Sequence, residues 1–95
     1  MARSTHNPHY QTLLTLLRDL RERAGVTQQA LAESLGNTQT FISKIERGER
    51  RIDVVEFIEL CEALEADPVA AFRECLQRRS LLGNRGSKLT RRTQN

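Results

Sequence analysis

Residues 28–47 hold two short apolar patterns of helical spacing, separated by a single tight turn. Two helices joined by a turn of about three or four residues pack closely only when a small residue lies at their contact and the turn accepts a left-handed backbone. Ala32 supplies the small side chain, and Gly36 supplies the left-handed position. Ile42 and Ile45 then lie on one side of the second helix. The spacing Q-x3-A-x3-G-x5-I-x2-I therefore predicts a steeply crossed helix pair.

Capping residues and apolar spacing predict five helices along the chain. The first spans about residues 8–24, because Pro8 occupies its first position and leucines recur behind it at helical spacing. The third spans about residues 38–47. Asp53, with Glu56 three residues later, matches a capping box at the start of the fourth. The predicted N-caps, in chain order, are Asn7, Thr27, Thr38, Asp53 and Asp67.

The fourth and fifth helices are each predicted to bury an apolar face. The residues expected to pack on the fourth are Val54, Val55, Phe57, Ile58, Cys61 and Leu64. Those on the fifth are Val69, Ala71, Phe72, Cys75 and Leu76. The other face of the fourth helix is acidic, with Glu56, Glu59, Glu62 and Glu65. Carboxylates repel a polyanion, so we expect this face to point away from any polyanionic partner.

A chain of 95 residues accommodates one helical domain of this kind. We expect an N-terminal arm over residues 1–7, an all-α domain over 8–78 and a basic tail over 79–95. The arm and domain together hold ten basic and twelve acidic residues, whereas the tail holds five basic residues and no acidic one. The polar composition of the tail is typical of a flexible segment.

Several other classes of protein find no support in the sequence. No apolar run reaches the length of a membrane span and no signal-peptide pattern occurs, so we expect a cytoplasmic protein. Cys61 and Cys75, without a CxxC motif, favour reduced core thiols over a disulfide or metal site. His6 and His9 lack a carboxylate or thiol to complete a metal site. No catalytic constellation is apparent, and we expect neither an enzyme nor a cofactor.

The outward face of the third helix carries side chains suited to reading base edges. With Ile42 and Ile45 facing inward, the candidates for base contacts are Gln39, Thr40, Ser43 and Lys44. A Gln amide pairs with adenine N6 and N7, a Lys amine donates to guanine O6 and N7, and hydroxyls bond either base. The alternative, a polar face that is merely solvated, is disfavoured by the packing signature of residues 28–47.

The segment TQQALAESLGNTQTFISKIERGER resembles the helix-turn-helix region of the phage repressor and Cro-like proteins, the Xre family. The likeness runs from about Leu13 to Phe72. It implies a five-helix, repressor-like DNA-binding domain whose helix-turn-helix is formed by helices 2 and 3, and a dimer on paired half-sites. It also implies that Gln28 contacts a phosphate and supports Gln39.

The same resemblance implies that Arg21 and Glu46 form an ion pair between helices 1 and 3; the alternative is two separately solvated charges. Because the loop after helix 3 lies beside the DNA backbone, the candidates for phosphate contacts are Gln28, Thr38, Arg47, Arg50 and Arg51, together with Lys44. Arg50 and Arg51 equally fit a solvated loop. The basic tail either adds sequence-independent affinity for double-stranded DNA or serves only solubility.

Two functional hypotheses follow. The first is a sequence-specific transcriptional regulator, a repressor, that inserts helix 3 in the major groove of an operator as a homodimer. Its dimer interface is expected on helix 5 at Val69, Phe72 and Leu76, or on helix 4 near Phe57. The alternative for helix 5 is that its apolar face is buried and closes the core of the monomer. The second is a protein-interaction module of antitoxin or adaptor type, which binds a protein partner through helix 5 and the tail.

Overall fold

The computed structural model describes residues 7–83, and these residues form five α-helices with no strand. The helices are α1 (Pro8–Arg23), α2 (Gln28–Ser34), α3 (Gln39–Glu46), α4 (Val54–Ala63) and α5 (Pro68–Ser80). The predicted all-α, five-helix architecture is confirmed. Helix α5 continues two residues past the predicted domain end, while most of the predicted tail and of the N-terminal arm, with His6, lies outside the described residues.

All five predicted N-caps are present. The side chains of Asn7, Thr27, Thr38, Asp53 and Asp67 each accept a backbone N–H from the first turn of the helix that follows. The Asp53 capping box is complete, because the Glu56 carboxylate accepts the Asp53 N–H in return. Each such cap stabilises its helix by about 0.5–2 kcal/mol relative to alanine.

The turn between α2 and α3 is a Schellman motif centred on Gly36. The N–H of Asn37 donates to the Ala32 carbonyl at 2.9 Å, and the N–H of Gly36 donates to the Glu33 carbonyl at 3.1 Å. Gly36 has φ = +68°. A Cβ at this position would meet no atom within 4 Å, so the backbone conformation alone favours glycine here.

The core lies where α1, α2, α3 and α4 converge, and α5 contributes Ala71 to it. Ala32 is fully buried at the crossing of α2 and α3, and Ile42 and Ile45 face inward from α3 as predicted. The leucines of α1 and the stripe formed by Phe57, Leu60, Cys61 and Leu64 on α4 complete this cluster. Burial raises the pKa of the Cys61 thiol to about 11, which keeps it protonated. Cys61 and Cys75 are both free thiols, the first buried and the second partly buried.

Helix α5 is held to α1 largely by charged side chains. Only Ala71 of α5 is buried. Arg23 of α1 bonds Glu74 at 3.0 Å, while Arg78 bonds Asp19 at 2.9 Å and Glu74 at 2.8 Å. The hydrogen bonds from Arg23 and then Arg78 lower the pKa of Glu74 to about 2. This arrangement leaves most of the apolar face of α5 without a partner in the monomer.

The predicted burial of α4 and α5 is partly wrong. Val54, Val55 and Ile58 are 73%, 60% and 36% exposed, and on α5 Val69, Phe72 and Leu76 are exposed as well. The reason is that the core contacts α4 along one narrow stripe, while α5 packs through its opposite face onto α1. The exposed side chains of the two helices adjoin, and Phe72 packs edge-to-face on Phe57.

None of the helices in residues 7–83 has the length and apolarity needed to cross a membrane. Over the same range, no three His, Cys, Asp or Glu side chains lie close enough together to hold a metal ion.

Candidate nucleic-acid interface

Helix α3 presents one polar face to solvent because its other face is anchored in the core. Ile42 and Ile45 are 1% and 2% exposed. On the opposite side Gln39, Thr40 and Lys44 are exposed, and Ser43 is half-buried. All four side chains that were predicted to contact bases thus lie on α3 away from the core. We call this polar face, together with the loop of residues 47–51, the α3 surface.

The ion pair between Arg21 and Glu46 predicted from the family resemblance is present and nearly buried. The Arg21 Nε donates to Glu46 Oε2 at 2.6 Å, and Arg21 Nη2 donates to Glu46 Oε1 at 3.1 Å. The two side chains are 12% and 9% exposed. A third donor, Arg21 Nη1, bonds the Val26 carbonyl at 2.9 Å. The hydrogen bond to Glu46 raises the pKa of Arg21.

Gln28 extends this network to the first residue of α3. Its Nε2 donates to Glu46 Oε1 at 2.9 Å, and its Oε1 accepts the side-chain N–H of Gln39 at 3.3 Å. Hydrogen bonds therefore run without interruption from Arg21 on α1 to Gln39 on α3. The exposed Gln39 amide is thus oriented by the partly buried Gln28, which is in turn bonded to Glu46.

The basic residues of the loop after α3 differ in how many of their N–H donors are already bonded within the protein. Arg47 donates to both carboxylate oxygens of Glu49, at 2.9 and 3.1 Å. Arg50 makes a bidentate pair with Glu56, at 3.0 and 2.8 Å, and its guanidinium lies over the Phe41 ring. Neither guanidinium is free in this conformation, although both were predicted as phosphate contacts.

Arg51 and Lys44 differ from these two residues. The Arg51 guanidinium stacks on the Tyr10 ring at 4.5 Å, and neither Arg51 nor Lys44 takes part in an ion pair within residues 7–83. Thr38 is exposed at the start of the helix, where its hydroxyl accepts the Phe41 N–H at 3.2 Å.

Sequence reasoning missed two residues that shape this surface, Tyr10 and Glu49, and one contact of a third, Glu56. Tyr10 supports the loop, since its hydroxyl accepts the Ile52 N–H at 3.1 Å and its ring carries Arg51. Glu49 was not considered, although its position two residues after Arg47 in the sequence is a signal that the two could pair. Glu56 was predicted as the capping-box partner of Asp53, which is confirmed, and as part of an acidic face pointing away from DNA. Its pairing with Arg50 was not predicted: the capping box turns the Glu56 carboxylate toward the loop, where the Arg50 hydrogen bond lowers its pKa.

The arrangement of α2, the Gly36 turn and α3 defines a helix-turn-helix DNA-binding domain. A model of the helix-turn-helix domain family matches residues 12–72, which is more than half of the chain. The chain therefore belongs to the helix-turn-helix domain family. Its 44% identity to an XRE-family like protein shows that it belongs to the XRE family, as the sequence resemblance implied. This class binds DNA in the regulation of transcription and is not an enzyme class.

Two solved structures are similar to this chain. An XRE-family like protein from Pseudomonas syringae pv. tomato str. DC3000 is 44% identical, with a TM-score of 0.72, over 79% of this chain and 92% of that chain. The clp gene regulator ClgR from Corynebacterium glutamicum is 27% identical, with a TM-score of 0.68, over 85% of each chain. No curated protein sequence matches the chain.

Substitution of Glu46 by glutamine tests its contribution to the stability of the domain. We expect Glu46→Gln to lower the free energy of unfolding by about 1.5–3 kcal/mol, because Arg21 then loses its carboxylate partner in a nearly buried site. Urea unfolding followed by circular dichroism measures the change.

Glu22→Gln is the matched control for this substitution. Its partner Arg18 is 63% exposed, and an exposed pair contributes little to stability. Equal effects of the two variants would show that the Glu46 network does not hold the domain together.

Proposed function

We propose that the protein is a sequence-specific transcriptional repressor that binds an operator as a homodimer, with α3 in the major groove. The observation that carries the proposal is the exposed Gln39 amide, held in place through Gln28 by the nearly buried pair of Arg21 and Glu46. A side chain fixed in advance loses little conformational freedom on binding. Repression is the outcome that requires only occupancy of DNA, and a cytoplasmic location suits that role.

Base recognition is assigned to the four outward side chains of α3. One N–H of Gln39 is engaged by Gln28, which leaves a second N–H for adenine N7 and the carbonyl oxygen for adenine N6. Lys44 is suited to guanine O6 and N7. Thr40 and Ser43 supply a hydroxyl each, and the Thr40 methyl group fits the methyl of thymine.

Phosphate contacts are assigned to the ends of α3 and to the neighbouring loop. Gln28 retains an amide N–H beyond its bond to Glu46, and Thr38 lies exposed at the N-terminus of α3. Arg51 is favoured over Arg50, because Arg50 is held on both outer nitrogens by Glu56 whereas Arg51 carries no ion pair in the described part of the chain. Arg47 is assigned to a phosphate as well, at the cost of its ion pair with Glu49.

Dimerisation is assigned to the α4/α5 apolar surface. One recognition helix buries too little surface to bind an operator tightly at physiological salt, so a second copy is required. The residues of this surface are Val54, Val55, Ile58, Val69, Phe72 and Leu76. Four of them, Val54, Ile58, Val69 and Phe72, line one groove with Phe57 and Pro68. An exposed apolar patch of this kind is typical of a protein interface. The two interfaces considered from the sequence, one on each helix, thus become a single candidate.

The second candidate function is a protein-interaction module. The observation that favours it is a pair of leucines after α5, where Leu81 and Leu82 are 85% and 49% exposed and line a groove with Pro8, Thr12 and Thr15 of α1. This groove is distinct from the α4/α5 apolar surface. A partner protein bound there would leave the α3 surface available to DNA.

Substitutions on the α3 surface test the assignment of base and phosphate contacts. We expect Gln39→Ala and Lys44→Ala to change which bases are preferred. Arg51→Ala should instead weaken binding to all sequences about equally and lower the slope of log affinity against log salt by about one. Selection of bound duplexes from a random pool, repeated at two salt concentrations, measures both effects.

The opposite pattern would contradict the assignment. If Arg51→Ala altered base preference while Gln39→Ala did not, α3 would not be the reading helix. If no motif were recovered and binding vanished as salt rose, the protein would not recognise a DNA sequence, and the interaction module would be the better account.

A charge placed in the α4/α5 apolar surface tests dimerisation. Val69 is 62% exposed in the monomer, so Val69→Glu should leave the fold intact while placing an unpaired carboxylate in the interface. We expect monomers by sedimentation and weaker binding to the selected inverted repeat. Ala70→Glu is the control, because Ala70 is exposed on the same helical turn but outside the surface. A wild-type protein that remains monomeric on its operator would contradict the proposal.

A further inference from the structure

Arg47 and Glu49 form a bidentate ion pair on the α3 surface, which we call the clamp. The Arg47 Nε and Nη2 donate to the two carboxylate oxygens of Glu49 at 2.9 and 3.1 Å. The remaining terminal nitrogen, Nη1, donates to the Ser43 hydroxyl at 2.6 Å. Both members of the ion pair are about half exposed, with side-chain exposures of 54% and 52%.

The clamp occupies the edge of the guanidinium that a phosphate would use. A guanidinium binds carboxylate and phosphate through the same geometry, with two parallel N–H donors on one edge. While Glu49 holds that edge of Arg47, a phosphate oxygen has no bidentate site there. The Ser43 hydroxyl, which the proposed function assigns to a base, is bonded to Arg47 at the same time.

Of the three arginine–glutamate pairs around α3, the pair of Arg47 and Glu49 is the one whose arginine most readily exchanges its carboxylate for another anion. The pair of Arg21 and Glu46 is nearly buried, and Glu56 also completes the capping box of α4. Glu49 has no comparable second role, because its carboxylate bonds Arg47 and no other group in the described part of the chain. An exposed pair with no further support contributes little to stability and opens at low cost.

We propose that Glu49 restrains Arg47 in the free protein, so that DNA binding exchanges the Arg47–Glu49 ion pair for a contact between Arg47 and a phosphate and releases Ser43. The proposal rests on the proposed function, since it requires α3 to meet DNA. Glu49 therefore sets the affinity of the α3 surface from within the protein. Its negative charge is secure at neutral pH, because the hydrogen bond from Arg47 lowers the pKa of its carboxyl group.

A double-mutant cycle tests this exchange. The full-length protein and its Glu49→Gln, Arg47→Ala and doubly substituted variants are titrated onto a mixed-sequence DNA duplex and onto the selected inverted repeat, over a series of salt concentrations. Fluorescence anisotropy reports affinity. All the substituted side chains are exposed, and circular dichroism verifies that each variant is folded.

We expect Glu49→Gln to bind both duplexes about two- to fivefold more tightly than the wild type, the range set by the strength of an exposed ion pair. The slope of log affinity against log salt should become steeper by up to about one, because this position then has no carboxylate to take up a cation when Arg47 turns to a phosphate. In the Arg47→Ala background the gain from Glu49→Gln should disappear. Glu62→Gln, which removes an exposed charge on α4, should leave affinity near that of the wild type.

Two outcomes would overturn the exchange. If Glu49→Gln strengthened binding equally with and without Arg47, the effect would be general charge repulsion from DNA. If Glu49→Gln weakened binding, Glu49 would instead hold Arg47 in its bound position.

Failure of the proposed function gives a different result. In that case Arg47→Ala and the substitutions at Gln39 and Lys44 would leave DNA binding unchanged. If only the exchange failed, those substitutions would still weaken DNA binding, and the double-mutant cycle alone would depart from the expected coupling between Arg47 and Glu49.

Discussion

The Glu46 carboxylate is the group on which the geometry of α1, α2 and α3 depends. It is nearly buried, and its two oxygens accept hydrogen bonds from Arg21 on α1 and Gln28 on α2 while it belongs to α3. Burial of a carboxylate is costly unless it is paired and hydrogen-bonded. This site meets both conditions, and the same bonds orient Gln28 toward Gln39. A stabilising contact of the core is thus continuous with the exposed face of α3.

The arginines near α3 form a graded series that relates burial to freedom of movement. Arg21 is fixed by a nearly buried carboxylate, Arg50 by a glutamate that also caps α4, and Arg47 by an exposed glutamate. Arg51 stacks on an aromatic ring and has no ion pair within residues 7–83. The cost of freeing a guanidinium falls along this series, because solvent and salt screen exposed pairs most strongly. In the proposed complex the least restrained cations meet phosphate, and the most restrained keep the recognition helix in place.

Local signals in the sequence were enough to predict the five helices, their caps and the Gly36 turn, because each depends on neighbours within a few residues. The pair of Arg21 and Glu46 was expected only through the family resemblance, and the assignments of Gln39, Thr40, Ser43 and Lys44 to bases remain predictions. The exposure of Val69 and Phe72 was not predictable from apolar spacing, since it depends on the ion pairs that hold the opposite face of α5 on α1. The pairing of Arg50 with Glu56 also depends on how the loop folds back onto α4.

Methylation interference on the selected duplex tests most directly whether α3 enters the major groove of two half-sites. Methylation of guanine N7 modifies the major groove, whereas methylation of adenine N3 modifies the minor groove. The account predicts that N7 methylation blocks binding in two clusters about 34 Å apart on one face of the duplex, and that N3 methylation between them does not. Interference by N3 methylation alone, or a single N7 cluster, would contradict it.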